Sequence, residues 1–264
     1  MPQKQPPAHQ ATPTINSKDL IEGLGKGLRV IEAFDDDHPR LTASQTAVRA
    51  DITRTSARRH LLSLVHFGYA ATDGKQFWLA PRVLRLGQSY LGAARLPRMV
   101  QPFIQRVSID SGETVNVSVL DGHEVVYLAR SSAPRWVSIG YQVGTRVPAH
   151  VVTPGVMMVS QLESAALERW IAEHEFVSFT TKTVTNLRQF RSQLQQARDQ
   201  DYWTTEHQLD PGLRGISVAL KDRRGQCKAA MGMTVPDTRY SNEQMVQRLL
   251  PLLRDAAQTL RVML

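Results

Sequence analysis

Residues 41–79 read LTASQTAVRADITRTSARRHLLSLVHFGYAATDGKQFWL, and this stretch decides the fold of the first part of the chain. Thr42 and Thr53 each precede a run of helix-forming residues, and a threonine hydroxyl at such a position accepts a free N–H of the first turn. The pattern predicts one helix from Thr42 to about Arg49 and a second from Arg54 to Phe67, joined by a tight turn.

The same stretch ends in a predicted β-hairpin. Gly68 is typical of a residue that closes a helix, and Asp73-Gly74 lies between the short runs Tyr69–Thr72 and Gln76–Leu79, which is a strong hairpin signal. An earlier helix is predicted over Lys26–Phe34, where an acidic run and a proline end it. Three helices followed by a hairpin predict a winged helix-turn-helix, with an expected apolar core of Ala47, Val48, Ile52, Leu61, Leu62, Leu64 and Val65.

The predicted helix 54–67 begins with Arg54, Arg58 and Arg59 in its first two turns. Arginine bonds guanine O6 and N7 through two parallel N–H groups, and small polar residues at helix ends contact phosphate. We interpret this helix as a reader of double-stranded DNA; a solvated basic helix face is the alternative. The residues expected at DNA are Gln45, Thr53, Arg54, Thr55, Ser56, Arg58, Arg59 and Lys75, of which Gln45, Thr53 and Lys75 suit phosphate.

The distribution of charge favours the DNA interpretation. The formal net charge is +8 and the sequence pI is about 9.9, which indicates a polyanionic partner or a basic soluble protein. Residues 38–95 hold nine basic and two acidic residues, whereas residues 96–264 hold 19 basic and 16 acidic ones. The positive charge is therefore concentrated on the predicted winged helix.

The number of cysteines and the hydropathy of the chain predict in which compartment the protein is found. One cysteine, Cys227, excludes an intrachain disulfide and a cysteine-based zinc site, which fits a reducing cytoplasm. No apolar run reaches 18 residues, so no membrane span is expected. Residues 1–18 are rich in proline and glutamine and lack an apolar core, so we expect a disordered arm and not a secretory signal.

The rest of the chain is predicted to form a second domain. We place the winged helix at 19–80, a linker helix at 81–95 and an effector-binding and oligomerisation domain at 96–264. Strands are predicted at 114–120, 124–130, 136–141, 202–208, 215–221 and 228–235, and a loop at 144–153. Helices are predicted from a start between Pro97 and Pro102 to about Ser111, at 155–162, 164–173 and 186–200, and at 242–262 with a mild interruption at Pro251. Hairpin-paired strands with helices outside predict an α/β domain with a mainly antiparallel sheet, and an α+β fold for the whole chain.

The sequence offers no catalytic, metal or cofactor motif. The histidines lack HExxH spacing, the glycine-rich segment 23–27 does not follow a strand, and no GxSxG sequence occurs. Cys227 lies beside a predicted strand, where a small core residue is the simpler interpretation. We therefore expect no catalytic residues, no metal and no cofactor.

Several segments resemble the IclR family of bacterial transcriptional regulators. They are GLGKGLRVIEAF, LTASQTAVRADITRTSARRHLLSLVHFGYA, DGKQFWLAPRVLRLG, SGETVNVSVLDGHEVVYLAR, VGTRVPAH and LDPGLRGISVALKDRRGQ, in that order between residues 21 and 264. The phrases EAFDDDHPRLT and FWLAPRVLRLG look most like the subgroup that controls aromatic-acid catabolism through the beta-ketoadipate pathway. The resemblance implies binding of operator DNA as a homodimer or homotetramer, a small-molecule pocket in the second domain and possible contact with RNA polymerase.

Matching the family's effector site to this sequence implies a set of pocket residues. They are Arg135, Trp136, Ile139, Val147, His150, Thr153, Pro154, Thr205, Glu206, Leu213, Gly215, Gly232 and Thr234. Pro154 lacks the N–H that the loop before the next helix uses to hold a carboxylate, so Arg135, His150 or Thr153 is expected to take its place. Gly232 and Thr234 stand where relatives commonly carry serine, which implies a roomier cavity suited to a ring. The alternative is that Trp136, Ile139 and Val147 are core residues only.

These observations predict a transcriptional regulator whose DNA contact depends on an aromatic or other small organic acid bound in the second domain. Two other classes stay open on the sequence alone. An enzyme could use the same pocket, although the pocket residues include no nucleophile–base pair. A non-specific architectural DNA binder would need no pocket at all.

Overall fold

The computed structural model describes residues 15–132 and 141–264, and its contacts divide the chain into two compact units between Ser89 and Tyr90. After a short 3-10 turn at Ser17–Asp19, the first unit contains α1 (Glu22–Glu32), α2 (Ala43–Arg49), α3 (Arg54–His66), β1 (Ala70–Thr72) and β2 (Phe77–Leu79). The strands β1 and β2 pair antiparallel. This unit is the predicted winged helix-turn-helix.

Both predicted N-caps of the helix-turn-helix are present. The Thr42 hydroxyl accepts the Gln45 N–H at 3.3 Å, and the Gln45 side chain accepts the Thr42 N–H at 2.9 Å, so the pair forms a capping box. The Thr53 hydroxyl accepts the Ser56 N–H at 3.2 Å and thereby starts α3. These local bonds fix the boundaries of α2 and α3, because they satisfy N–H groups that a helix start leaves without a partner.

The core of this unit is smaller than the apolar pattern suggests. Val30, Ala50, Leu61 and Phe77 are buried together, and Leu41 exchanges two backbone hydrogen bonds with Phe77, which ties the segment before α2 to the hairpin. The expected core positions Val48 and Leu62 are wrong, since their side chains are 83% and 43% exposed. Leu62 follows Arg58 by four residues and therefore shares the outward face of α3.

The connection between the two units begins as a 3-10 turn at Pro81–Val83 and continues as α4 (Leu84–Ala93). The next helix is α5 (Arg95–Ser111), which ends at Gly112 in the left-handed conformation at φ 65°. The predicted start between Pro97 and Pro102 is too late, because α5 begins at Arg95 and Pro102 lies inside it. The contact division falls within α4, so the proposed boundaries of the linker remain a prediction from the sequence.

The second unit is built on one six-stranded antiparallel sheet. Its strands are β3 (Val115–Asp121), β4 (Glu124–Ser131), β5 (Arg146–Pro148), β6 (Trp203–Glu206), β7 (Leu213–Lys221) and β8 (Cys227–Pro236), in the order β5-β4-β3-β8-β7-β6. The pairing of β3 with β8 joins two hairpin-linked halves into one sheet. The predicted strand at 136–141 falls almost entirely outside the described residues.

Helices cover both faces of this sheet. On one face α5 and α10 (Leu250–Leu260) pack on Val117, Val218 and Met231. On the other face lies α6 (Thr153–Ser160), which is buried along its whole length and packs under α8 (Leu187–Gln200), while α7 (Ser164–Glu173) adds Trp170 and Ile171 to the same core. This confirms the predicted α/β domain with an antiparallel sheet.

Two predicted helix limits in this unit need correction. The helix 242–262, predicted with a mild interruption at Pro251, is divided fully into α9 (Asn242–Arg248) and α10, because Pro251 in the first turn of α10 lacks the N–H that would continue α9. The helix α6 begins two residues earlier than predicted, with Pro154 in its first turn, a position that tolerates proline.

Candidate DNA-binding surface and effector cavity

The outward face of α3 carries unpaired arginines. Arg54, Arg58 and Arg59 are all exposed, and their guanidinium groups have no hydrogen-bond or ion-pair partner among the residues that the structure describes. Arg54 and Arg58 are one helical turn apart and lie on the same face. A row of free guanidinium groups at the start of an exposed helix can bind phosphate oxygens or guanine edges without first breaking an internal contact.

Other arginines of this unit are used to hold the fold. The Arg49 guanidinium donates to the Ala33 carbonyl at 2.6 Å and pairs with Asp35, and Arg29 donates to the Ala50 carbonyl at 3.0 Å. These contacts tie the end of α1 to α2. The structure therefore separates structural arginines from the available ones on α3, a distinction that residue type does not reveal.

The remaining residues predicted at DNA surround α3 at its start and at the hairpin. Thr55 is exposed beside Arg54, and Ser56 is half-buried with its backbone N–H bound to Thr53. Gln45 is exposed, but its side-chain oxygen is engaged in the cap of α2, which leaves only its NH₂ group for a phosphate. Lys75 lies at the exposed tip of the hairpin.

Arg40 is a further positively charged side chain that the sequence did not predict at the DNA-binding surface. The Arg40 guanidinium stacks 4.1 Å from the centre of the Trp78 ring on β2, which places a positive charge beside the hairpin. Arg40 lies just before α2 and belongs to no sequence motif. Its position next to β2 depends on the fold, because pairing of Leu41 with Phe77 brings this segment to the hairpin.

A cavity in the second unit lies between the sheet and the start of α6. Its outer part has a volume of about 30 Å³ and its inner part about 10 Å³, and Tyr127, Thr153, Pro154 and Thr234 line both. This space suits roughly one or two water molecules and is far below the range of about 300–1,000 Å³ for small-molecule sites, so a ligand requires the lining side chains to move apart. Thr205, Leu213 and Gly215 line the outer part and Gly232 the inner part, so the structure brings seven of the predicted pocket residues together.

Three predicted pocket residues lie elsewhere. Val147 is buried in the apolar core on β5, and Glu206 pairs with Arg214 instead of lining the cavity. His150 is 1% exposed and hydrogen-bonds the Val177 carbonyl and His174, and burial lowers its pKa, so it does not offer a positive charge to a ligand. Arg135, Trp136 and Ile139 lie outside the described residues.

Several cavity residues were missed. The outer part also contains Tyr141, Gln208, Asp210 and Arg214, and the inner part contains Asn116 and Ser118 on β3. Asn116 and Ser118 alternate with Val115 and Val117, so a period-two pattern with polar residues on a buried face was the signal that could have found them.

The charged groups of the outer part are already paired. The Arg214 Nη2 donates to Glu206 Oε1 at 2.6 Å and its Nη1 donates to the Asp237 and Tyr240 carbonyls. The Tyr141 hydroxyl donates to Asp210 Oδ2 at 2.9 Å. Burial raises the pKa of both Tyr127 and Tyr141, so both phenols stay protonated and act as hydrogen-bond donors at neutral pH.

Glycines permit the close packing around the cavity. A Cβ on Gly155 would lie 2.0 Å from the Ala149 carbonyl oxygen, so α6 can approach the preceding turn only with glycine there. A Cβ on Gly232 would lie 2.7 Å from the Ile216 carbonyl oxygen and 2.8 Å from Ser217 Cβ. The expectation that Gly232 merely enlarges the cavity is therefore incomplete, because the neighbouring strand also requires it.

Two negative findings apply to the part of the chain that is described. Within residues 15–132 and 141–264, no three His, Cys, Asp or Glu side chains come together as a metal site would need. Over the same ranges, the helices are too short or too polar to cross a bilayer.

A winged helix with free arginines, together with an α/β domain that encloses a small cavity, defines a DNA-binding regulator with an effector site. The family model described as the IclR helix-turn-helix domain matches residues 23–74, and the one for the bacterial transcriptional regulator IclR C-terminal domain matches residues 88–262. The chain belongs to the IclR family. It is a ligand-responsive transcriptional regulator and not an enzyme.

Two curated relatives and one solved structure show which members of the family this chain is similar to. The p-hydroxybenzoate hydroxylase transcriptional activator of Acinetobacter baylyi is 37% identical over 254 residues, which are 94% of this chain and 93% of that protein. The Pca operon regulatory protein of the same organism is 32% identical over 94% of this chain and 90% of its own length. A solved IclR homologue from Microbacterium hydrocarbonoxydans, complexed with 4-hydroxybenzoate, is 25% identical with a TM-score of 0.73, covering 90% of this chain and 97% of that one.

Proposed function

We propose that this regulator controls an operon of aromatic-acid catabolism and that its effector is a small monocyclic aromatic acid of the hydroxybenzoate type. The observation that carries the proposal is the cavity between α6 and the sheet, which joins apolar walls at Tyr127, Leu209 and Leu213 to a few polar groups. A flat ring with polar substituents at its ends matches such a lining. Two relatives support the same class of effector: the p-hydroxybenzoate hydroxylase transcriptional activator of Acinetobacter baylyi and the IclR homologue complexed with 4-hydroxybenzoate.

The start of α6 is the proposed site for the effector carboxylate. The backbone N–H groups of a helix's first turn attract an anion, and Pro154 removes one of them. Thr153 compensates, because its hydroxyl lies in the cavity wall beside Gly215 and Thr205. Gln208 and the remaining donor capacity of Arg214 lie in the same outer part of the cavity.

The proposed DNA contacts are those of α3 and the hairpin. Arg54, Arg58 and Arg59 supply base and phosphate contacts, and Thr55, Ser56, Thr53, Gln45 and Lys75 supply further phosphate contacts. A homodimer would present two such helices to successive major grooves, about one DNA turn apart. The exposed apolar side chains Leu84, Leu86 and Tyr90 on α4, at 69%, 46% and 53% exposure, support self-association there. The bound regulator then acts by recruiting or blocking RNA polymerase.

The test of the effector class is a thermal-shift series on the full chain. We expect 4-hydroxybenzoate and 3,4-dihydroxybenzoate to raise the melting temperature, and pyruvate and succinate to leave it unchanged, because only the ring acids offer an apolar surface to the apolar walls of the cavity. Thr234→Leu, inside the cavity, should abolish the shift. The control Thr259→Leu, on an exposed position of α10, should keep it.

A shift with the aliphatic acids alone would contradict the aromatic effector class. A regulator that binds DNA equally with and without every acid tested would favour the architectural class instead. That class needs no cavity, so the cavity itself argues against it.

A further inference from the structure

One row of residues crosses the sheet, and two of its members, Asn116 and Gly232, line the inner part of the cavity. Asn116 on β3 pairs with Gly232 on β8, Gly232 pairs with Ser217 on β7, and Ser217 pairs with Trp203 on β6. Neighbours directly opposite each other on adjacent strands project to the same face. Glycine in the middle of the row is required by close packing, because a Cβ on Gly232 would lie 2.8 Å from Ser217 Cβ.

Three buried polar atoms of this row have no hydrogen-bond partner among the described residues. They are Asn116 Oδ1, Ser217 Oγ and Trp203 Nε1. A buried polar atom without a partner costs about 1–3 kcal/mol, and folded proteins rarely leave such atoms unsatisfied. Of these three groups, Asn116 is the one that lines the inner cavity, and it is 4% exposed.

The inner and outer parts of the cavity differ in charge. The inner lining is Asn116, Ser118, Tyr127, Thr153, Pro154, Gly232, Met233 and Thr234, and none of these side chains is charged at neutral pH. The outer lining includes the charged residues Arg214 and Asp210. Burying a carboxylate among neutral groups alone is expensive, whereas a neutral hydroxyl needs only one or two hydrogen-bond partners.

We propose that Asn116 is the specificity-determining residue for the ring hydroxyl of the effector. The hydroxyl enters the inner part and bonds the Asn116 amide, and the carboxylate stays in the outer part near the start of α6. This inference rests on the proposed aromatic effector and adds the orientation of the ring and the residue that selects the substituent. A site that binds a hydroxyl in this way rejects an analogue without one, because the amide is then left unpaired.

The test compares 4-hydroxybenzoate with 4-methylbenzoate, whose methyl group is close in size to the hydroxyl but forms no hydrogen bond. Dissociation constants are measured on the full chain by isothermal titration calorimetry. The wild type should bind 4-hydroxybenzoate about tenfold or more tightly than 4-methylbenzoate, as expected for one buried hydrogen bond. Asn116→Leu should reverse the order, since a leucine offers the methyl group an apolar surface.

The control Gln196→Leu makes the same change of residue type on the exposed face of α8 and should keep the wild-type order. If the wild type does not distinguish the two acids, or if Asn116→Leu weakens both equally, the inference is wrong and the aromatic effector stands. If neither acid binds the wild type, the proposed effector class fails and the inference fails with it. Should Asn116→Leu not fold, Asn116→Ala replaces it, and retention of the full preference in that variant would overturn the inference.

Discussion

At the scale of single residues, an arginine is available to DNA only if its guanidinium group has no partner within the protein. Arg49 and Arg58 differ little in sequence context, yet Arg49 donates to the Ala33 carbonyl at 2.6 Å while Arg58 projects from α3 without a partner in the described part of the chain. A guanidinium that already satisfies a carbonyl stabilises the fold, and breaking that bond for a phosphate would cost the energy of the bond. The free guanidinium groups of α3 are therefore the ones available to DNA.

Removal of Arg58 should weaken operator binding without affecting stability. For Arg58→Ala we expect a loss of about 1–3 kcal/mol if the side chain reads a base, and a salt-dependence slope smaller by about 0.9 if it binds phosphate. The measurement is fluorescence anisotropy on a promoter fragment at several salt concentrations. Arg106→Ala removes one exposed positive charge from α5 and should change neither quantity. Equal affinity and slope for Arg58→Ala and the wild type would refute the assignment.

At the scale of the elements, the packing of α7 on the turn before α6 creates a histidine pair. His174 at the end of α7 stacks on Trp170 at 4.2 Å and meets His150 Nδ1 at 2.8 Å, while His150 Nε2 contacts the Val177 carbonyl at 3.0 Å. Two further ionisable side chains lie nearby, His123 and Glu173, and the His123 Nε2 atom is 4.0 Å from Glu173 Oε2. Burial first, and then the neighbouring histidines, lower the pKa of His174 to about 4.

The His150–His174 pair predicts that the free energy of unfolding is lower in mild acid than at neutral pH. The unfolded chain protonates His174 near its ordinary pKa of 6.5, whereas the folded protein resists protonation down to about pH 4. The free energy of unfolding should therefore fall as the pH decreases from about 6.5 to about 4. His174→Gln should make that fall shallower in chemical denaturation at a series of pH values. Gln196→Leu is the control for substitution in the same unit, and an identical slope in His174→Gln would contradict the prediction.

At the scale of the whole molecule, a regulator must couple its two sites. If the effector changes operator affinity by some factor, linkage requires that operator DNA change effector affinity by the same factor. We expect this reciprocity for 4-hydroxybenzoate and the promoter fragment, with a typical factor of about 5–150. Anisotropy with and without the acid, and calorimetry with and without DNA, measure the two sides. Thr234→Leu should remove both effects, and an effect on one side alone would show that the sites are not coupled through equilibrium binding.

The helices and strands that the sequence predicted correctly are those controlled by local interactions. The caps at Thr42 and Thr53, the Asp73-Gly74 turn and the alternation along β3 depend on neighbours within a few residues, so α2, α3, the hairpin and β3 were predictable to within a residue or two, whereas β5 at Arg146–Pro148 lies where a loop was predicted. It failed at Val48 and Leu62, because an apolar residue on a short helix does not reveal which face is covered. The pocket positions came from family resemblance, and the structure keeps Thr153 and Thr205 in the cavity while moving His150 and Glu206 out of it.

The sequence by itself determined the class of this protein: a basic winged helix followed by an antiparallel α/β domain, with no catalytic motif. Only the tertiary structure decided which polar groups face the cavity. Asn116, Tyr141 and Arg214 come from strands and loops far apart in the chain, and they meet because β3 pairs with β8 and α6 packs across both. Long-range strand pairing sets the neighbours of a buried side chain, and no local pattern of residues encodes that pairing.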